Sequence, residues 1–116
     1  MKGPLSKSFV YAFEGIKATI LKERNIKIHL CFMLAVIICA FLFHITKVEW
    51  MICLILFALV ISLEILNTAI EAVVDLASPQ YHEKAKLAKD CAAGAVLVAA
   101  VFAAIIGLMI FLPYVL

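Results

Sequence analysis

Charge is scarce in this sequence. Only 16% of its 116 residues are charged and 67% are hydrophobic, giving a mean hydropathy of +1.18. Soluble domains carry roughly 25% charged residues, so an ordinary aqueous fold is excluded and an integral membrane protein is indicated. Paired cysteines are also missing. Cys31, Cys39, Cys53 and Cys91 form no CxxC and lie in or beside apolar runs, which reads as reduced thiols packing like small hydrophobes rather than as metal ligands. There is no linker, low-complexity segment or internal repeat; Pro79 breaks a loop, and Pro113 is expected to end the last helix. The first 27 residues alternate apolar and charged positions. They contain neither the apolar core of about 7–15 residues nor the small-residue cleavage site of a leader peptide, so the N-terminus is expected to be retained.

What is present is apolar sequence in long runs. A span needs about 20 mostly apolar residues, and three segments meet that requirement: 28–45, 50–74 and 91–112. Ahead of them, Leu5, Phe9, Phe13, Ile16 and Ile20 share one helical stripe, while Lys7, Glu14, Lys17 and Lys22 point elsewhere. This pattern predicts an amphipathic helix over 5–24 lying on the membrane surface, its lysines near anionic lipid; packing on the other helices is the alternative. Lys2, Lys7, Lys17, Lys22, Arg24 and Lys27 precede the first span and Lys84, Lys86 and Lys89 separate the second from the third, whereas only Lys47 lies in the first connection. The positive-inside tendency therefore puts the N-terminus and second loop in the cytoplasm and the C-terminus outside. Trp50 and Tyr114 suit the outer interface. Ala95, Ala99, Ala103 and Gly107 form a small-residue ridge suited to close helix packing.

The second span ends in "EILNTAIEAVVD" (64–75). At about 100° per residue, Glu64, Asn67, Glu71 and Asp75 fall within one arc about 80° wide. If Trp50 marks the outer boundary, Glu64 lies about 21 Å along the helix, some 9 Å short of the cytoplasmic edge of a core about 30 Å thick. Ionised carboxylates at that depth are costly unless paired, neutralised or metal-bound, which makes them functional candidates. A purely structural hydrogen-bonding role would explain one such residue more readily than a column of four. Carboxylates and an amide oxygen are hard ligands of the type that holds Mg²⁺ together with nucleotide phosphates. A carboxylate reached from the bilayer also suits deprotonation of a lipid hydroxyl. Periodicity does not choose among reactions.

The residues themselves carry a resemblance. "SLEILNTAIEAVVDL" (62–76) followed by "YHEKAKLAKDCAAGAV" (81–96) resembles the signature of the bacterial integral-membrane diacylglycerol kinase family, and "GIKATILKERNIKIH" (15–29) is similar to its first helix. "KERNIKIH", "VEWM" and "IIGLMIFLP" resemble the Gram-positive branch, which phosphorylates undecaprenol. The resemblance runs from about Phe9 to Pro113. It implies an all-α homotrimer in the bacterial cell membrane, each protomer a single domain with one surface helix and three transmembrane helices, using Mg²⁺ and ATP to phosphorylate a membrane lipid alcohol. By the same resemblance Glu64 is the catalytic base, Glu23 and Glu71 hold the metal and Asn67 supports the site. Tyr11, Gln80, Tyr81, His82, Lys89 and Asp90 contact nucleotide, and Asp75 has a supporting role. There are two departures: Pro4 stands where diacylglycerol-specific members have a nucleotide-binding arginine, and Gln80 where they have glutamate.

No GxxxxGK[ST], GxGxxG or HRD-type motif occurs, so phosphates have to be held by metal, Lys89 and neighbouring donors. The sites are expected at protomer interfaces, where Glu23 can come from the same chain as the column or from a neighbour. Diacylglycerol is the rival substrate. A proton-coupled transporter and a non-catalytic assembly subunit are the rival classes; the first lacks an account of carboxylates that descend to the cytoplasmic edge, and the second would tolerate Glu64→Gln. Without the resemblance, His29 reads first as a packing or headgroup-contacting residue and second as a substrate contact. His44 reads as interfacial, His82 and Glu83 as solvated loop, Lys84 and Lys86 as solvated or lipid-facing, and Lys89 and Asp90 as caps of the third span.

Overall fold

The computed structural model describes residues 3–116. Lys2, one of the basic residues counted ahead of the first span, lies outside the described residues. The described chain is all helical: α1 Leu5–Lys22, α2 Arg24–Phe43, α3 Lys47–Ala77 and α4 Glu83–Val115. The last three are long and apolar enough to cross a membrane.

Each helix boundary has a local cause. Glu23 is extended (φ −96°, ψ 129°), ending α1 and starting α2. At the other end of α2, His44 takes the left-handed conformation (φ 50°) and closes the helix through its backbone N–H to Ala40 and Phe41 carbonyls. Thr46 then opens α3 with a capping box: Glu49 N donates to Thr46 Oγ1 at 3.2 Å, and Thr46 N donates to Glu49 Oε1 at 2.9 Å. His82 caps α4 by accepting from Lys84 N at 3.1 Å.

These caps move the expected boundaries outward at several points. Helix α2 begins at Arg24 and stops at Phe43, α3 runs three residues beyond each end of the expected 50–74, and α4 begins at Glu83. Hydropathy marks only the part of a helix that sits in lipid. Pro113 does not end α4, which continues to Val115; a proline this close to the C-terminus removes one backbone bond from a turn already about to end.

Helix α3 is the hub, packing along α4, against α2 and against α1. Its buried seam is Cys53, Val60, Glu64 and Asn67, facing Ala92, Val96, Ala99 and Ile110 of α4. Ala99 belongs to this seam but Ala95 is exposed, so the expected small-residue ridge is only partly used within the chain. At the end away from the carboxylates, Ala40, Ile45, Cys53 and Ile110 form a cluster flanked by Phe43 and Trp50. The Trp50 ring meets Phe41 edge-on at 5.0 Å, Tyr114 stacks on Phe43 at 6.0 Å, and the Tyr114 hydroxyl donates to Glu49. Trp50 and Tyr114 thus share one end of the molecule, as interfacial aromatics should. Phe32, Leu54 and Met109 are among many large apolar side chains left outside the helix contacts, where lipid or another protein is the compatible surrounding.

Candidate active site

The α3 seam changes character partway along. Cys53 and Val60 are followed, on the same face, by Glu64 at 1% exposure and Asn67 at 8%. The helical pitch that aims apolar residues at α4 also aims the carboxylate inward, so Glu64 and Asn67 face protein. Opposite it, α4 presents Ala93, Val96 and Ala100, whose small side chains leave a cleft of about 250 Å³ lined also by Asn25, His29 and Leu97.

His29 of α2 reaches across this cleft, placing Nδ1 2.8 Å from Glu64 Oε1. Although short, this contact lies outside good hydrogen-bond alignment, and neither atom has another partner. Asn67 donates through Nδ2 to Glu71 Oε1 at 3.2 Å, while its buried Oδ1 has no donor. The Thr68 hydroxyl lies 3.2 Å from the Glu64 carbonyl oxygen and 3.5 Å from Glu23 Oε1. Through the kink at residue 23, the Glu23 carboxyl comes within hydrogen-bonding reach of Glu71. Within the chain, then, Glu23 meets the α3 column at Glu71 and Thr68.

Two facing carboxylates, beside an amide oxygen without a donor, fit a hard divalent cation. Magnesium takes one or two protein carboxylates and completes its shell with water and substrate phosphates. Among the described residues no group of three or more His, Cys, Asp or Glu is arranged to hold a metal.

The other anticipated residues lie outside this core. Asp75 is on the expected face but exposed, and it pairs with Lys89 of α4. Asp90 pairs with Lys86 at 2.6 Å. Neither Lys89 nor Asp90 caps the helix, because α4 starts six residues before Lys89; that role belongs to His82. Gln80 and Tyr81 lie in the exposed α3–α4 connection, and Tyr11 lies on the exposed side of α1. The structure therefore groups Glu23, Glu64, Asn67 and Glu71, ties Asp75 to Lys89 beyond them, and leaves Tyr11, Gln80, Tyr81 and His82 at the surface.

Sequence reasoning missed Thr68 and Asn25 and put packing first for His29. Thr68 sits at about 40°, some 20° beyond the edge of that arc, so its place beside the column was legible. No comparable signal marked Asn25 or His29.

Comparison with known proteins agrees with the residue pattern. Residues 10–111 match the family model described as prokaryotic diacylglycerol kinase. The undecaprenol kinase of Bacillus subtilis is 53% identical over 107 residues, covering 92% of this chain and 87% of that protein. The diacylglycerol kinase of Synechocystis is 48% identical over 91% of this chain, which spans 61% of that longer protein. The diacylglycerol kinase of Escherichia coli K12 is 35% identical over 85% of this chain and 81% of its own length.

Proposed function

The chain belongs to the prokaryotic diacylglycerol kinase family and is a lipid kinase; from this premise we propose that it transfers the γ-phosphoryl group of ATP to undecaprenol. The observation that carries the mechanism is Glu64, almost fully buried on a polar stripe that continues to the facing pair Glu23 and Glu71. In this reading Glu64 accepts the proton of the lipid hydroxyl as its oxygen attacks the γ-phosphorus. The bond from that phosphorus to the bridging oxygen of ADP breaks, and ADP departs. Glu23 and Glu71 hold Mg²⁺, which when bound offsets the negative charge of the phosphates. Asn67 steadies Glu71 through its amide. Lys89, held by Asp75, together with Tyr11, Gln80, Tyr81, His82 and Asp90, receives the nucleotide. Most of the acceleration then comes from alignment and charge neutralisation, with the base adding to it.

Undecaprenol is preferred over diacylglycerol because the relative so named is 53% identical over 92% of this chain, against 48% for the cyanobacterial diacylglycerol kinase and 35% for the enterobacterial one. The 48% relative is the specific support for the second reading, phosphorylation of diacylglycerol to phosphatidic acid. We further propose a homotrimer, with α1 on the cytoplasmic surface of the membrane and the C-terminus outside. Side-by-side assays with ATP and each lipid in mixed micelles test the substrate. Faster labelling of undecaprenol supports the reading, and equal or faster labelling of diacylglycerol overturns it.

A further inference from the structure

We propose that His29 is the positioning residue of the base: its Nδ1–H donates to Glu64 Oε1, fixing the carboxylate so that Oε2 is the oxygen presented to the lipid hydroxyl. This rests on the assignment of Glu64 as base. The argument begins from two atoms. His29 Nδ1 and Glu64 Oε1 are 2.8 Å apart, both are buried, and among the described residues no other donor or acceptor serves either. A general base is a carboxylate that only accepts, so under that assignment the contact at this distance is attractive only if Nδ1 carries a hydrogen. The carboxylate thereby selects the tautomer. The imperfect alignment is what such contacts show before substrate tightens them.

The surroundings leave no competitor. From α4 the cleft receives only apolar side chains, Ala93, Val96, Leu97 and Ala100, and its polar members besides this pair are the neutral amides Asn25 and Asn67. Glu64 is therefore the one titratable group lining the cleft with His29. The imidazole is about a quarter exposed while Nδ1 is buried, so the remainder of the ring faces the open cleft and Nδ1 faces the carboxylate. A base oriented by a third group is the arrangement that activated nucleophiles generally require.

Two independent measurements test this. In His29→Phe, kcat should fall about 10- to 100-fold, part of what general-base catalysis contributes, with KM for MgATP unchanged. His29→Asn, which offers an N–H donor at nearly the place of Nδ1, should retain most of the wild-type kcat. The assignment is overturned if both variants keep full activity, if both lose it equally, or if the loss appears in KM for MgATP. The second readout uses no turnover: ¹⁵N spectra of the three ring systems His29, His44 and His82 in micelles, with and without Glu64→Gln. The ring nitrogens of His29 should shift while those of His44 and His82 stay, and unmoved His29 signals overturn the pairing. Because kinetics are run with whichever lipid the enzyme labels, a wrong substrate assignment leaves both tests intact. Should Glu64→Gln keep its activity while the His29 signals shift, the base assignment alone fails.

Discussion

Replacing Glu64 with glutamine keeps the shape of the side chain and removes its ability to take a proton. Since Glu64 is buried on the α3 seam and does not touch Glu71 or Glu23 through any side-chain hydrogen bond, Glu64→Gln should lower kcat by about 100-fold or more and leave MgATP affinity largely intact. A near-normal kcat in the radiolabel transfer assay would remove Glu64 from the role of base. Glu71→Gln should do the reverse. It takes one of two facing carboxylates from the cation position, so the Mg²⁺ concentration for half-maximal nucleotide binding should rise by about tenfold or more; an unchanged Mg²⁺ titration would place the metal elsewhere. At this scale Glu64, Asn67 and Glu71 were legible because four polar residues on one arc of an apolar helix have few structural explanations. Asp75 satisfied the same arithmetic yet is exposed and paired with Lys89, because the arc continues past the packed part of the helix. His29 was not legible in its role: its partner is 35 positions away, and only the packing of α2 on α3 brings them together.

Helix ends were less legible than helix centres, and the reason is physical. Hydropathy measures which residues prefer lipid, whereas a helix ends where its backbone finds a cap. The Thr46–Glu49 pattern does announce a start at Lys47, but a window of apolar residues begins only near Trp50. That cap is tied to the far end of the chain, since Glu49 also accepts from the Tyr114 hydroxyl. Thr46→Ala should therefore destabilise the protein by about 1 kcal/mol, as loss of an N-cap does. Glu49→Ala removes its part of the box and the link to α4 together, so it should lower the unfolding midpoint in micelles further than Thr46→Ala. Equal midpoints for the two variants would mean that the Tyr114 bond contributes nothing. Neither substitution should change the Mg²⁺ dependence of turnover, because the cap lies at the opposite end of α3 from Glu71.

A single chain leaves its own site partly open. Helix α3 packs on both α2 and α4, whereas α2 and α4 meet at the far end, through Phe43 against Phe111 and Tyr114, and the cleft containing Glu64 and His29 lies between them. A close imidazole–carboxylate contact beside such a gap needs a cover that excludes bulk water without sealing off the lipid hydroxyl. A second protomer set against α2 and α4 supplies one, and the exposed apolar faces of those helices, including Phe32 and Met109, are suited to it. The proposed trimer would have a mass of 3 × 12.8 = 38.4 kDa from the chain mass of 12.8 kDa. Native mass spectrometry from mild detergent should show that species, and kinase activity should disappear in step with it as harsher detergent releases monomers. Monomers that keep full specific activity would show that lipid alone completes the cleft and that the three-chain assembly has no part in catalysis.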